Sequence, residues 1–274
     1  MEAKLKMKNT NNEMIGDRES TKRSWNRIPQ ASKELIERLN REEIPLAKPK
    51  EPGLMQPMKV NAKINLQDYI KIPDTNTLIS KRELYQGKKF DKTHKALNDA
   101  GLFMPSPALF MPYFLKVRNA SHGKLILYDG LGNSLSKDET ENLWKYLSTD
   151  FETGCWTWLD AKFVSGIGFK KMNLLTHKFE NGKLKEDLKP LEECLFEDCF
   201  ADLEFNGQNL LTEKCASQEY KQGKNVYFWY PRENAVARFG ADSGRANLSC
   251  SRNPSDGGSH LGVFACAEAP AKKT

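Results

Sequence analysis

From Asn234 to Ala267 the chain contains no Lys, Glu, Gln, Met or Trp. These five types make up 73 of the 274 residues, so a window of 34 should hold about nine. Arginine is spared, because three of the 11 Arg fall in this window and none of the 31 Lys. An ordinary solvated strand face in a lysine-rich chain would carry Lys, Glu and Thr, so it does not account for the gap. Other absences exclude whole classes. No apolar run reaches the length of a membrane-spanning helix, so membrane insertion is not expected. The N-terminal MEAKLKMKNTNNEM has no apolar signal segment. A cytoplasmic chain is therefore the expectation, with a virion or the cell surface as the alternative address. No G-x-S-x-G elbow, P-loop, dinucleotide fingerprint or H-E-x-x-H occurs. No enzymatic activity, cofactor or metal is expected.

The charge is mildly basic, +6 in all, and is not gathered in one place. Residues 1–60 hold 13 Lys/Arg against 9 Asp/Glu. A nucleic-acid groove would cluster cations with aromatics, so no nucleic-acid partner is expected. The six cysteines are Cys155, Cys194, Cys199, Cys215, Cys250 and Cys266. Without an export signal they read as reduced thiols. Cys194 and Cys199 have no second close Cys/His pair to complete a zinc site. The four histidines are scattered. His94 reads as a packed or capping residue, and Asp160 as a member of a polar network.

The pattern along the chain predicts an α+β domain behind a polar N-terminal region. Residues 1–24 have the composition of a disordered tail. Residues 25–60 hold a short amphipathic helix, Ser32–Arg41, and a linker with Pro45, Pro49, Pro52 and Pro57. NLQDYIKIP and TLISKREL read as strands. Asp91–Leu102 reads as a helix capped by Asp91 and closed by Gly101. Ser136–Leu147 reads as a second, with Ser136 and Glu139 forming a capping box. MPSPALFMPYF, with three prolines, reads as a buried irregular connection, and Leu125–Tyr128 as a short strand before a DGLGN turn. The last 120 or so residues turn β-like: CWTWLDAKF places Trp156 and Trp158 on one face, and NVYFWYP, AVARFGA, RANLSC and LGVFACAE follow as strands.

Alternation in the lysine-free window separates two sets, because successive strand side chains point to opposite sides. Phe239 and Ala241 oppose Arg238, Gly240 and Asp242. Ala246, Leu248 and Cys250 oppose Arg245, Asn247, Ser249 and Ser251. One set is small and apolar; the other is polar and reads as displayed.

At these residues the chain resembles a known family. FWYPRENAVARFGADS, then A-x-L-x-C, then LGVFACAE, together with KIPDTNTLISKREL, THKALNDAGLFMPSPALFMPYF, LYDGLGN and WTWLDAKF, resemble the variable proteins of archaeal diversity-generating retroelements. The resemblance covers roughly residues 60–268. It implies a C-type lectin-like fold with two early helices and a C-terminal set of short antiparallel strands over 61–268, with a variable region at about 234–267 and a tail at 269–274. In such systems adenines of a template are rewritten and copied into the target gene. Codons of the AAC or AAT type, randomised at their first two positions, reach Asn, Asp, Ser, Gly, Arg, His, Tyr and several apolar residues but never Lys, Glu, Gln, Met or Trp. That excluded set is the one missing from the window.

The resemblance implies a ligand-binding protein whose partner is an unknown protein or cell-surface ligand. Its framework would be Ala237, Phe239, Ala241, Ala246, Leu248, Cys250, Leu261, Val263 and Phe264. Its variable face would comprise Arg238, Arg245, Asn247, Ser249, Ser251, Arg252, Asn253, Ser259 and His260, with Gly240, Asp242 and Gly244 as further members. The Glu-Pro-Asn signature of calcium-dependent lectins is absent, so calcium and sugar binding are not implied. Two other readings use the same fold: a non-diversifying virion or structural attachment protein, and a formylglycine-generating-type oxidase, which needs a reactive cysteine pair.

Overall fold

Helix α1 (Phe90–Asp99) shows how local sequence and tertiary contact share the work. Its C-terminus is closed by a Schellman motif: Gly101 sits at φ +71°, its N–H donates to Asn98 O, and Leu102 N–H donates to Leu97 O. Glycine fits there because an L side chain is strained in the left-handed region. Leu97 and Leu102 are both buried in the same cluster, which completes the motif. The N-terminus differs from the expectation that Asp91 caps it. Lys89 is the N-cap and makes no side-chain cap bond, while Asp91 lies in the first turn. The Phe90 N–H is taken instead by Pro254 O, from the lysine-free window.

The computed structural model describes residues 64–72, 75–148, 154–166, 172–180, 183–242 and 244–270. The N-terminal tail, the Ser32–Arg41 helix and the proline-rich linker lie outside the described residues. So do 271–274 of the C-terminal tail. The described part is mixed α+β, with strands β1 (Tyr69–Lys71) and β2 (Thr77–Leu84) before α1, then helices α2 (Pro107–Ser121) and α3 (Lys137–Ser148). The remaining strands follow as β3 (Cys155–Ser165), β4 (Met172–Glu180), β5 (Lys183–Pro190), β6 (Cys199–Asp202), β7 (Asn225–Trp229), β8 (Val236–Asp242), β9 (Arg245–Arg252) and β10 (Val263–Glu268).

Three helices stand among the described residues where two were expected. The extra one, α2, occupies the proline-rich segment read as irregular. Pro107 is tolerated because it sits at the first helical position, where the missing N–H would be unpaired anyway. Pro112 lies inside the helix. Burial offsets its cost, since Phe110, Met111, Tyr113, Phe114 and Val117 are all at most 1% exposed. Helix α3 starts as the sequence predicts: Ser136 N–H donates to Glu139 Oε2, and Glu139 N–H donates to Ser136 Oγ. The Ser136 N–H and hydroxyl, both donating to it, together with Lys81, hold the Glu139 carboxyl below its ordinary range. Leu125–Tyr128 forms no strand. Tyr128 makes an isolated bridge to Ser134, around a turn in which Asp129 accepts from the N–H groups of Leu131 and Asn133.

Two sheets result. The larger runs β5-β4-β3-β8-β9-β7-β6, and the smaller runs β1-β2-β10. The expected antiparallel set carries one exception, the parallel pairing of β7 with β9. The last strand, β10, leaves the large sheet to pair with β2. One core lies between the large sheet and helices α2 and α3 and holds Ala237, Phe239, Ala241, Ala246, Leu248 and Cys250. A second, with α1, holds Trp158, Val236, Leu261 and Val263. In β10 the two alternate: Phe264 and Cys266 enter the first core, Val263, Ala265 and Ala267 the second. All nine framework residues are buried, yet they serve two cores and not one face.

Phe239 packs on Phe110 and Phe114 at ring-centroid distances of 5.0 and 5.3 Å. Phe239→Ala should therefore cost about 3–5 kcal/mol, while Arg245→Ala on the exposed side should stay within about 0.5 kcal/mol. Equilibrium urea unfolding of the two variants measures both; equal costs would contradict this assignment of faces.

Candidate functional site

The parity of β8 and β9 collects the polar half of the window on one sheet face. Register places Arg238 opposite Ser249, Gly240 opposite Asn247, and Asp242 opposite Arg245. The neighbouring strands extend this face. On β3, Trp156 pairs with Gly240 and Trp158 with Arg238. On β7, Tyr227 pairs with Asn247 and Trp229 with Ser249, while Phe200 of β6 lies opposite Tyr227.

The face is less open than a displayed surface. Arg238, Asn247 and Ser249 are only 8%, 5% and 1% exposed, and Gly240 is buried. Trp156 explains Gly240: a Cβ there would meet the indole carbons at 2.8 Å. Asp242, Gly244, Ser251 and Arg252 are half-buried, and Arg245, Asn253, Ser259 and His260 are exposed. Gly244, at φ +78°, belongs to the two-residue connection between β8 and β9, a position that favours glycine. Asn253 is committed to a turn in which its side chain accepts from Ser255 N–H. The twelve residues therefore divide into a floor near β3 and an accessible rim.

Two window arginines stack on aromatics from outside the window. The Arg238 guanidinium lies 3.9 Å from the Trp156 ring centroid, and Arg245 lies 4.9 Å from that of Tyr227. Tyr227 in turn touches Trp229 and Phe200, at 5.1 and 5.0 Å. Trp156, Tyr227, Trp229 and Phe200 are all half-buried, so they keep surface for contact. Burial, then the nearby charge of Arg252, pulls the Arg238 guanidinium down to about 9, still cationic at neutral pH. Asp242 is pushed up by burial against the pull of the three arginines. Arg238 Nε, Asn247 Oδ1 and Arg252 Nε are buried with no hydrogen-bond partner among the described residues. Native proteins rarely leave such groups unpaired, so this floor holds unused donor and acceptor capacity.

The start of β3 is held from below. Glu83 accepts from the Trp156 N–H at 3.1 Å and from the Tyr146 hydroxyl. Burial raises the Glu83 carboxyl despite these bonds. Trp158 is fully buried, and its indole N–H donates to Lys88 O.

Further along the same face of β3, the structure assembles a group that sequence order hides. Asp160 accepts from the His177 backbone N–H at 2.6 Å and ring Nδ1 at 2.8 Å. His94 of α1 brings Nε2 to 3.2 Å from the same Asp160 oxygen. Burial works to raise the Asp160 carboxyl, but His177 and His94 outweigh it and hold it below its ordinary range. The bond to Asp160 raises His177. No spacing pattern announces this trio, since its members come from α1, β3 and β4. The one available signal was that Asp160 shares strand parity with Trp156 and Trp158.

All six cysteines are buried and none forms a disulfide. No helix among the described residues is long and apolar enough to cross a membrane. Set against models of protein families, curated proteins and solved structures, the chain matches none of them.

Gly240→Val should displace the Trp156 ring and cost about 1–3 kcal/mol. Its intrinsic fluorescence should shift relative to wild type, and the shift should vanish in a Trp156→Phe background. Unchanged stability and emission would contradict the contact.

Proposed function

We propose that the chain is a ligand-binding protein of C-type lectin fold whose β8–β9 face and following loop form a recognition surface diversified by adenine-directed retroelement mutagenesis. The observation that carries this reading is the division of one segment. A window lacking the five residue types that AAC or AAT codons never reach has its apolar half buried in two cores, and its polar half on one sheet face and a loop. The mixed α+β architecture is compatible with the proposed fold.

The arrangement answers a chemical objection to such a binder. Affinity normally comes from rigid aromatic anchors, and the window contains neither Tyr nor Trp. Trp156, Tyr227, Trp229 and Phe200 stand on neighbouring strands outside it. In this scheme they supply contact area that stays constant, and the window supplies the polar groups that change. This copy carries the exposed Arg245 and the half-buried Arg252 on that surface, which suits a polar or anionic patch on a protein or cell-surface ligand. A non-diversifying attachment protein would use the same face without the codon bias. A formylglycine-type oxidase would need a reactive cysteine pair open to substrate; burial of all six thiols favours the binding reading.

A library that randomises the first two codon bases, with a pyrimidine third, at Arg245, Ser251, Arg252, Asn253, Ser259 and His260 tests the proposal. Most members should lose less than about 1 kcal/mol. Selection against a panel of cell-surface proteins should return binders whose affinity falls at least about tenfold, roughly 1.4 kcal/mol, on Tyr227→Ala or Trp229→Ala. Widespread unfolding, or binders insensitive to both changes, would contradict it.

A further inference from the structure

We propose that His94, Asp160 and His177 form a binding site for one divalent transition-metal ion, with zinc the best fit, that joins α1 to β3 and β4. The donors are His94 Nε2, Asp160 Oδ1 and His177 Nδ1, and all three atoms lie within 4.8 Å of one another. Around a tetrahedral zinc with arms of about 2.0–2.2 Å, ligand atoms stand about 3.4 Å apart. Two of the separations here are already close to that, at 3.2 and 2.8 Å. A shift of a few tenths of an ångström in the His177 ring would open room for an ion, which would take the place of the Nδ1 proton and release it to solvent. Two imidazoles and a carboxylate suit zinc and its transition-metal neighbours, not magnesium or calcium, which favour oxygen cages.

Three further observations point the same way. His94 is 8% exposed, and neither of its ring nitrogens has a hydrogen-bond partner among the described residues. Its Nε2 comes within 3.2 Å of Asp160 Oδ1 without the alignment of a hydrogen bond. An imidazole that lies beside a carboxylate without an aligned hydrogen bond to it can turn a lone pair to a third atom held between them. The second is the set of contacts that hold the ligands in place. The other Asp160 oxygen is fixed by the His177 backbone N–H at 2.6 Å, and Asp160 N–H is fixed by Pro105 O at 2.8 Å. Phe90 packs edge-on against the His94 ring at 4.8 Å. Such outer contacts orient ligands and tune their basicity. The third is access: the His177 side chain keeps 21% of its surface exposed, so solvent can supply a fourth ligand. Three protein ligands with one open position is the pattern of a reactive zinc site. The site shares no residue with the binding face proposed above.

The test uses the full chain stripped with a chelator and dialysed. Calorimetric titration with Zn²⁺ should show one ion per chain, and Co²⁺ should give visible d–d bands without a near-ultraviolet thiolate band. His94→Ala and His177→Ala should each weaken zinc binding more than about tenfold, at least the effect of losing an outer contact, while His122→Ala should leave it unchanged. Circular dichroism confirms that each variant is folded; should His94→Ala unfold, His177→Gln at the half-exposed ring decides in its place. The proposal is overturned if folded wild-type protein takes up no zinc, if affinity survives the His177 change, or if Co²⁺ shows thiolate ligation by the cysteines.

Discussion

The burial of Phe239 against Phe110 and Phe114 is the constraint on which the rest of the structure depends. Strand side chains alternate, and a one-residue slip would send every side chain of β8 to the opposite face. Once Phe239 is locked into the core under α2, Arg238 and Gly240 must face the other way. Pairing with β9 transmits the choice, since Phe239 lies opposite Leu248 and Arg238 opposite Ser249. The same register carries it to β7 and β3, which places Tyr227, Trp229 and Trp156 beside the polar residues. A single buried ring thereby decides which residues of the lysine-free window enter the core and which lie on the opposite, polar face.

That division has an interior boundary. The residues nearest β3, Arg238 and Gly240, lie under or against Trp156. On β9 Arg245 is exposed, Asn247 and Ser249 are buried, and exposure returns from Ser251 into the following loop. Substitution is therefore cheapest at Arg245 and from Ser251 onward, and dearest at Gly240. Gly244 has a different reason to stay, since its positive φ closes the hairpin. In the proposed binder this face would combine a rigid aromatic floor, which loses little entropy on binding, with a rim that carries no core residues.

Much of this was legible in the sequence, and what was not has identifiable physical causes. Strand parity separated framework from polar residues, because alternation is a local property. The capping box of α3 and the glycine that closes α1 were legible for the same reason. Helix α2 was not, because local proline signals were outweighed by the burial of five large side chains. The β4–β5 hairpin gave no clear signal: it pairs two charged strands, and most of β5 is exposed. The site was half legible. Which residues were polar and shared a face could be read, but Arg238 on Trp156 and Arg245 on Tyr227 depend on sheet order, including a parallel pairing. The His94, Asp160 and His177 group depends on three elements meeting, which no spacing encodes.

The central claim is that the window from Asn234 to Ala267 records a mutational process acting on one face of a fixed scaffold. Sequencing sibling copies of this gene, with the DNA beside them, tests it most directly. The account predicts a near-identical template repeat, and substitutions concentrated at Arg245, Ser251, Arg252, Asn253, Ser259 and His260. Phe239, Leu248 and Leu261 should be unchanged. Differences scattered evenly along the chain, with no template repeat nearby, would contradict it.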